Sequence, residues 1–291
     1  MSDALRLAVA TDAETLERIE PPLAERAIEA AHLPVSERPL SIDTGLERFD
    51  VGFVFPSRLP EGGVLDALLG VPWVNGRETV QRSRYKAESL ARLVTADVPI
   101  PETTMISNQV GDATLTDVWE TFDPPVVVKP NSTTRGTGVA KCHDVDSFLG
   151  VCDYLSLVHD YRATGDRSFL VQEYLPDARD YRVMCIEGQA VGAVERRLSA
   201  PARASGRWKH NVHRGAEATG VELPAALGEL AERAAHAIEA DWVGVDLLVT
   251  DERAVVCETN ARPTVDSADK YETGFYDRLA RLIRQTAADA P

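Results

Sequence analysis

A valine run, Val126-Val127-Val128, ends in Lys129 and opens into the polar loop NSTTRGTG of residues 131–138. A fixed ammonium at a strand end, followed by Gly136 and Gly138, which let backbone N–H groups come close, suits a polyphosphate. The lysine precedes the glycines, so this is not the Walker arrangement G-x-x-x-x-G-K-[ST]. A strand-end lysine is seldom fully buried, so Lys129 is expected to be partly exposed and dispensable for folding. A second constellation lies in WVGVDLLVTDERAVVCETN, residues 242–260. If this stretch is a hairpin turning near Glu252, Asp246 lies across from Glu258, and Asn260 shares their face. Two carboxylates side by side in an apolar sheet repel each other and are poorly solvated, and a cation resolves both problems. All-oxygen donors suit Mg2+ or Mn2+, with phosphate and water completing the shell.

A third group lies in DYRVMCIEGQAVGAVERR, residues 180–197. Asp180 and Arg182 share a strand face. A two-residue turn at Glu187-Gly188 brings Arg197 to the same side; a one-residue register shift brings Arg196 instead. Arginines beside a metal site suit phosphate or carboxylate recognition. RWKHNVHRG, residues 207–215, adds cationic and amide groups in a segment too polar for a core. Only five lysines occur among 31 basic residues, so Lys86 and Lys129 stand out.

The elements that must position these groups can be read from the pattern. LRLAVA (5–10) and FDVGFVF (49–55) read as buried strands, with helical patterning between them interrupted at Pro21-Pro22. A short helix and a short strand ending at Asn75 complete a small parallel α/β unit over residues 1–76. It lacks G-x-G-x-x-G after its first strand, which argues against a dinucleotide site there. A charged helix, GRETVQRSRYKAESLARLV, follows, and the prolines of VPIPETTMIS close it. Beyond it hairpins and helices alternate, an α+β pattern with antiparallel sheets.

The chain has 291 residues with a net charge of −15, which argues against sequence-independent nucleic-acid binding. No apolar run reaches the ~18 residues of a membrane span, and the N-terminus has no signal-peptide pattern. A cytoplasmic location is the expectation. The acidic, lysine-poor composition fits a halophilic-type surface. Cys142, Cys152, Cys185 and Cys257 form no C-x-x-C pair and read as free thiols.

Taken in order, Lys86, Lys129 with its glycine loop, QEYL at 172–175, the D-x-R of Asp180 and Arg182, an Asn in a basic loop, and D…E-x-N resemble the ATP-grasp ligases, and most closely their RimK-type branch of amino-acid and glutamate ligases. The resemblance covers about residues 75–287. It implies an ATP-grasp fold over 77–291, with subdomains 77–175 and 176–291, behind a Rossmann-like N-terminal domain over 1–76. It also implies that Lys86 and Lys129 contact ATP phosphates under a lid carrying Gly136 and Gly138. Gln172, Glu173, Tyr174 and Leu175 would form the hinge strand at the adenine, and Asp180 would lie by the nucleotide, as would Lys209 and His210 of the basic loop. Arg182 is expected near an acyl-phosphate, with Arg197 and Asn211 stabilising the transferring group. Asp246, Glu258 and Asn260 would bind two Mg2+ or Mn2+ ions.

The implied reaction is ATP-dependent amide formation between a carboxylate substrate and an amine, for instance glutamate added to a small molecule, a peptide or a protein tail. No nucleic-acid or membrane partner is implied, and relatives often form homo-oligomers. A small-molecule kinase and a non-catalytic nucleotide-binding module are the alternatives. Three departures stand out. The loop NSTTRGTG has Ser, Thr and Arg135 where many relatives have more glycine, Ala261-Arg262-Pro263-Thr264 stands where a Ser-Pro-Gly is common, and Lys209-His210-Asn211 where an Arg-x-Asn is common.

Overall fold

The computed structural model describes residues 4–11, 13–35, 39–43, 46–107, 110–134, 136–158, 166–210, 212 and 215–289. The first elements are β1 (Leu5–Val9), α1 (Ala13–Ala24), β2 (Ile28–His32), β3 (Val51–Phe53), α2 (Leu59–Leu69) and β4 (Trp73–Val74). Their strands form a parallel sheet in the order β2-β1-β3-β4. Pro21 and Pro22 do not interrupt α1 but sit in its last turns. The Arg18 carbonyl, which Pro22 has no N–H to satisfy, accepts the Tyr276 hydroxyl at 3.3 Å.

The charged helix expected after residue 76 is two helices, α3 (Arg77–Arg84) and α4 (Lys86–Thr95). Tyr85 between them is extended, at φ −87 and ψ 104. The break is fixed from outside. Asn131, in the loop after the valine strand, accepts the Lys86 N–H on its carbonyl and the Ala87 N–H on its side chain.

The next sheet is antiparallel and contains β5 (Thr103–Ile106), β6 (Val126–Pro130), β7 (Ala140–Cys142) and β8 (Phe169–Glu173), in the order β5-β8-β6-β7. Helices α5 (Asp112–Trp119) and α6 (Val145–Val158) complete this layer, and Leu115, Phe148, Val126, Val128 and Phe169 share its core.

The third sheet holds β9 (Arg179–Ile186), β10 (Gln189–Arg197), β11 (Glu217–Gly220), β12 (Trp242–Val249) and β13 (Ala254–Asn260). Its order is β11-β10-β9-β12-β13. Three helices accompany it: α7 (Ala200–Ala204), α8 (Ala225–Ile238) and α9 (Phe275–Ala288). Helix α8 places Leu227, Leu230, Ala231, Ala234 and Ile238 against Tyr181, Val183, Val243, Val245 and Leu247. With that face buried, strand alternation turns Asp180, Arg182 and Asp246 to the opposite face. Further along the sheet, Met184, Ile186 and Trp242 join α9 and the parallel sheet in one core. The mixed α/β and α+β architecture agrees with the sequence reading.

Candidate active site

Between the two antiparallel sheets lies a cleft of about 1640 Å³, lined by Lys86, Lys129, Gly136, Gln172–Leu175, Asp180, Arg182, Arg196, Lys209, His210, Asp246, Glu258 and Asn260. Strand β6 delivers Lys129, which is buried at 5% exposure rather than partly exposed as expected. Its Nζ donates to Gln172 Oε1 at 2.9 Å and lies 4.0 Å from Cys257 Sγ. In the loop that follows, Ser132 is buried and its hydroxyl has no partner among the described residues. Gly136 and Gly138 hold φ of +67 and +74, which glycine alone adopts without strain. A Cβ on Gly138 would also stand 2.7 Å from Pro130 Cγ. Arg135 lies outside the described residues.

Lys86 opens α4. Its Nζ pairs with Glu258 at 3.1 Å and donates to the Thr133 carbonyl at 2.5 Å. The two helices are pinned to β13 by a buried hydroxyl cluster: Thr259 Oγ1 meets Ser89 Oγ at 2.8 Å and Ser83 Oγ at 3.4 Å. The sequence carries no spacing that announces this cluster.

Asp246 faces Glu258 directly across β12 and β13, as the hairpin reading expects. The route differs from simple counting. Leu247 pairs with Val256, so Cys257 is a bulge residue that restores the Asp246–Glu258 pair. The Asp246 carboxylate receives Arg182 in a fork, at 2.7 and 2.8 Å, and Arg196 at 3.1 Å. Burial alone would push this carboxyl up; the two guanidiniums outweigh burial and hold it below the usual carboxylate range. Asn260 follows on the same face and accepts the Arg262 N–H at 2.9 Å.

Arg197 is corrected by the fold. The pairing of β9 with β10 shifts by one residue between Ala190 and Gly192, so Arg196, not Arg197, stands opposite Asp180. Arg196 is buried and bonds both Asp180 and Asp246. Burial would lower its pKa, and the two carboxylates raise it instead. The Arg197 side chain is 70% exposed and pairs with Glu195 at 2.7 Å, at the cleft wall.

The hinge segment divides its work. Glu173 turns its carboxylate away to the Glu102 N–H, at 2.7 Å, and to Arg253. Tyr174 meets Trp208 edge-on at 5.8 Å, and the Lys141 ammonium sits 4.3 Å from the Tyr174 ring. Trp208 and Lys141 were missed in the sequence; an aromatic inside a basic loop is the signal that could have found the first. Lys209 donates to the Val139 carbonyl, and His210 Nδ1 lies 3.6 Å from Asp180 Oδ2, so the basic loop reaches the glycine loop and Asp180 together. Asn211 lies outside the described residues.

No three Asp, Glu, His or Cys side chains form a metal cage among the described residues. Two carboxylates and one amide converge instead, an incomplete oxygen set that fits Mg2+ arriving with polyphosphate. The cleft lining carries fifteen lysines and arginines, Lys86, Lys129, Arg182 and Arg196 among them, against eight aspartates and glutamates, an excess of positive charge that suits an anion.

Residues 83–283 match the RimK-like ATP-grasp domain family. The chain belongs to that family. A ribosomal protein bS6–L-glutamate ligase of Escherichia coli is 28% identical over 75% of this chain and 68% of its own length. The RimK domain ATP-grasp protein of Sphaerobacter thermophilus superposes with a TM-score of 0.64 at 22% identity, covering 98% of this chain and 99% of its own. A D-alanine–D-alanine ligase of Bacillus anthracis, complexed with ATP, superposes with a TM-score of 0.68 at 17% identity, over 98% of both chains. The fold of this RimK-like protein is thus the ATP-grasp fold, and the chain is an ATP-dependent ligase that forms C–N bonds.

Proposed function

We propose that this RimK-like ligase activates a substrate carboxylate with ATP and joins it to the amino group of an amino acid, glutamate being the first to test because the curated relative is a glutamate ligase. A carboxylate oxygen attacks the γ-phosphorus, the bond to ADP breaks, and an acyl-phosphate forms. The amine then attacks the acyl carbon, loses a proton, and inorganic phosphate departs with the bonding electrons. The chain positions the reactants and neutralises charge. Lys86 and Lys129 hold phosphates from one wall, and Arg182 and Arg196 face them from the other. Gln172, Tyr174 and Leu175 bracket the base.

Asp246, Glu258 and Asn260 would hold two Mg2+ or Mn2+ ions, which when bound offset charge on the transferring phosphoryl group. The loop of Gly136 and Gly138 closes over the acyl-phosphate with Lys209 and keeps water from it. Residues 1–76 form the N-terminal unit and 77–291 the catalytic one. Among the described residues no helix is long and apolar enough to cross a membrane, and the four thiols are free, in keeping with a reducing cytoplasm.

The observation that carries this reading is the register pairing of Asp246 with Glu258 on the cleft wall that receives Lys86, with Lys129 in the same cleft. The test is ADP release with Mg2+, in high salt, across amino acids and short acidic peptides, with mass spectrometry of the products. A new amide mass supports the ligase. A phosphorylated product without an amide refutes it.

A further inference from the structure

A second cavity, of about 240 Å³, opens beside the cleft and is lined by Thr11, His32, Ser57, Arg58 and Arg262 among others. It sits beyond the carboxyl ends of β1, β2 and β3. The strand order β2-β1-β3-β4 reverses direction between β1 and β3. Parallel α/β sheets bind ligands in this position, where chain connections leave on opposite sides and open a crevice.

Its lining is unlike the rest of the chain. The protein carries 46 acidic and 31 basic residues, yet this cavity is lined by two arginines and a histidine and by no Asp or Glu. Arg262 is held in place: its guanidinium donates to the Ala10 carbonyl at 2.9 Å and to the Val54 carbonyl at 3.1 Å, and also to the Phe55 carbonyl. Its charge is thereby fixed at the ends of β1 and β3. Arg58 is exposed and stands at the N-cap of α2, with a loose 3.5 Å ion pair to Glu61. Thr11 is 92% buried (8% exposed), and its hydroxyl has no hydrogen-bond partner among the described residues.

Thr11, Ser57, Arg58 and Arg262 also line the nucleotide cleft, so the two spaces adjoin. Arg262 follows Asn260 by two residues. The volume is below the ~300–1,000 Å³ of drug-sized sites, a size for one amino acid or a short dicarboxylate.

We propose that this cavity anchors the non-reacting carboxylate of an acidic amino-acid or dicarboxylic substrate, whose reacting group extends into the nucleotide cleft. The inference rests on the ligase reading above and names the substrate subsite of that reading. Arg58 and Arg262 supply the charge, and the Thr11 and Ser57 hydroxyls supply neutral hydrogen bonds. Binding a remote, unreactive carboxylate here adds to substrate affinity equally in the ground state and the transition state, and so sets KM rather than kcat.

The test titrates glutarate and L-glutamate into full-length protein with Mg2+ and a non-hydrolysable ATP analogue, for wild type, Arg58→Gln and Thr11→Val. Circular dichroism checks the fold of each. The expected result is binding of at least one acid to wild type, weakened about tenfold by Arg58→Gln, the scale of one lost charge-assisted hydrogen bond. Thr11→Val weakens it less, and analogue affinity stays unchanged in both. In turnover, Arg58→Gln raises KM for the acidic substrate with kcat near wild type. Equal acid binding by wild type and both variants overturns the proposal, as does the absence of acid binding to wild type. Displacement of the acid by inorganic phosphate at equal concentration would make this an inorganic-anion site and also overturn it. Failure of the ligase reading looks different: acid binding follows the expected pattern while no amide forms.

Discussion

Replacing Lys129 with methionine should stabilise the protein and cripple it. Lys129 is 5% exposed, its ammonium has one neutral acceptor at 2.9 Å and a thiol at 4.0 Å, and it has no ion pair among the described residues. Lys86 differs, with Glu258 at 3.1 Å. An uncompensated buried charge is costly, and replacing even a buried ion pair by hydrophobes of similar volume is often neutral or stabilises by ~1–4 kcal/mol. Against this, Gln172 Oε1 loses its donor, at a cost of about 1 kcal/mol. The net is a gain of up to about 3 kcal/mol, or a Tm rise of up to about 12 °C at ~2–4 °C per kcal/mol. A charge-assisted hydrogen bond to phosphate is worth ~1.5–3 kcal/mol, so ATP should bind about 10- to 150-fold more weakly. Differential scanning calorimetry and titration with a non-hydrolysable ATP analogue measure the two effects on one preparation. A lower Tm with unchanged analogue affinity would refute the reasoning and make Lys129 a structural residue.

Other expected outcomes follow from the same geometry. Glu258→Gln should keep the fold and abolish Mg2+-dependent ADP release, because it removes one of two carboxylates facing each other on the cleft wall; normal turnover at ordinary Mg2+ would sink the metal assignment. Arg196→Ala should destabilise by ~3–5 kcal/mol in urea unfolding, since it strips a buried partner from Asp180 and Asp246. Arg197→Ala, at a side chain 70% exposed, should stay within ~0.5 kcal/mol. Burial pushes the thiols of Cys142 to about 11 and of Cys152 and Cys185 to about 12. These three should therefore resist a disulfide reagent at pH 8 in the native protein and react in urea. The unfolded chain loses these protons near pH ~8.5 while the folded chain keeps them, so the thiols' contribution to stability falls as pH rises from about 9 to 11, which Tm against pH would register.

The fold class and the charged residues that line the cleft were legible in the sequence, the partners of those residues were not, and particular residues show why. Lys129 after three valines and Asp246 inside V-G-V-D-L-L-V violate the local rule for a buried strand, and such violations concentrate where function requires them. The positions around them obey local rules and so leave their partners open. Nothing in GRETVQRSRYKAESLARLV announces the break at Tyr85, because Asn131, some forty-five residues downstream, captures the N–H groups of Lys86 and Ala87. The break nonetheless decides whether Lys86 can reach both Glu258 and the glycine loop. Register errors have the same origin. Counting back from Glu187-Gly188 selects Arg197, but a one-residue shift near Val191 turns Arg196 inward, and β10 carries arginine at both positions, so composition cannot discriminate between them. In the other hairpin, a bulge at Cys257 offsets a turn centred half a residue away from Glu252, and the counted pair Asp246–Glu258 survives. That bulge also brings Cys257 within 4.0 Å of Lys129, so the irregularity that preserves the carboxylate pair also places an apolar neighbour against the buried charge. Bulges are set by long-range pairing, which a single sequence does not display, whereas a charge in an apolar strand is visible at once.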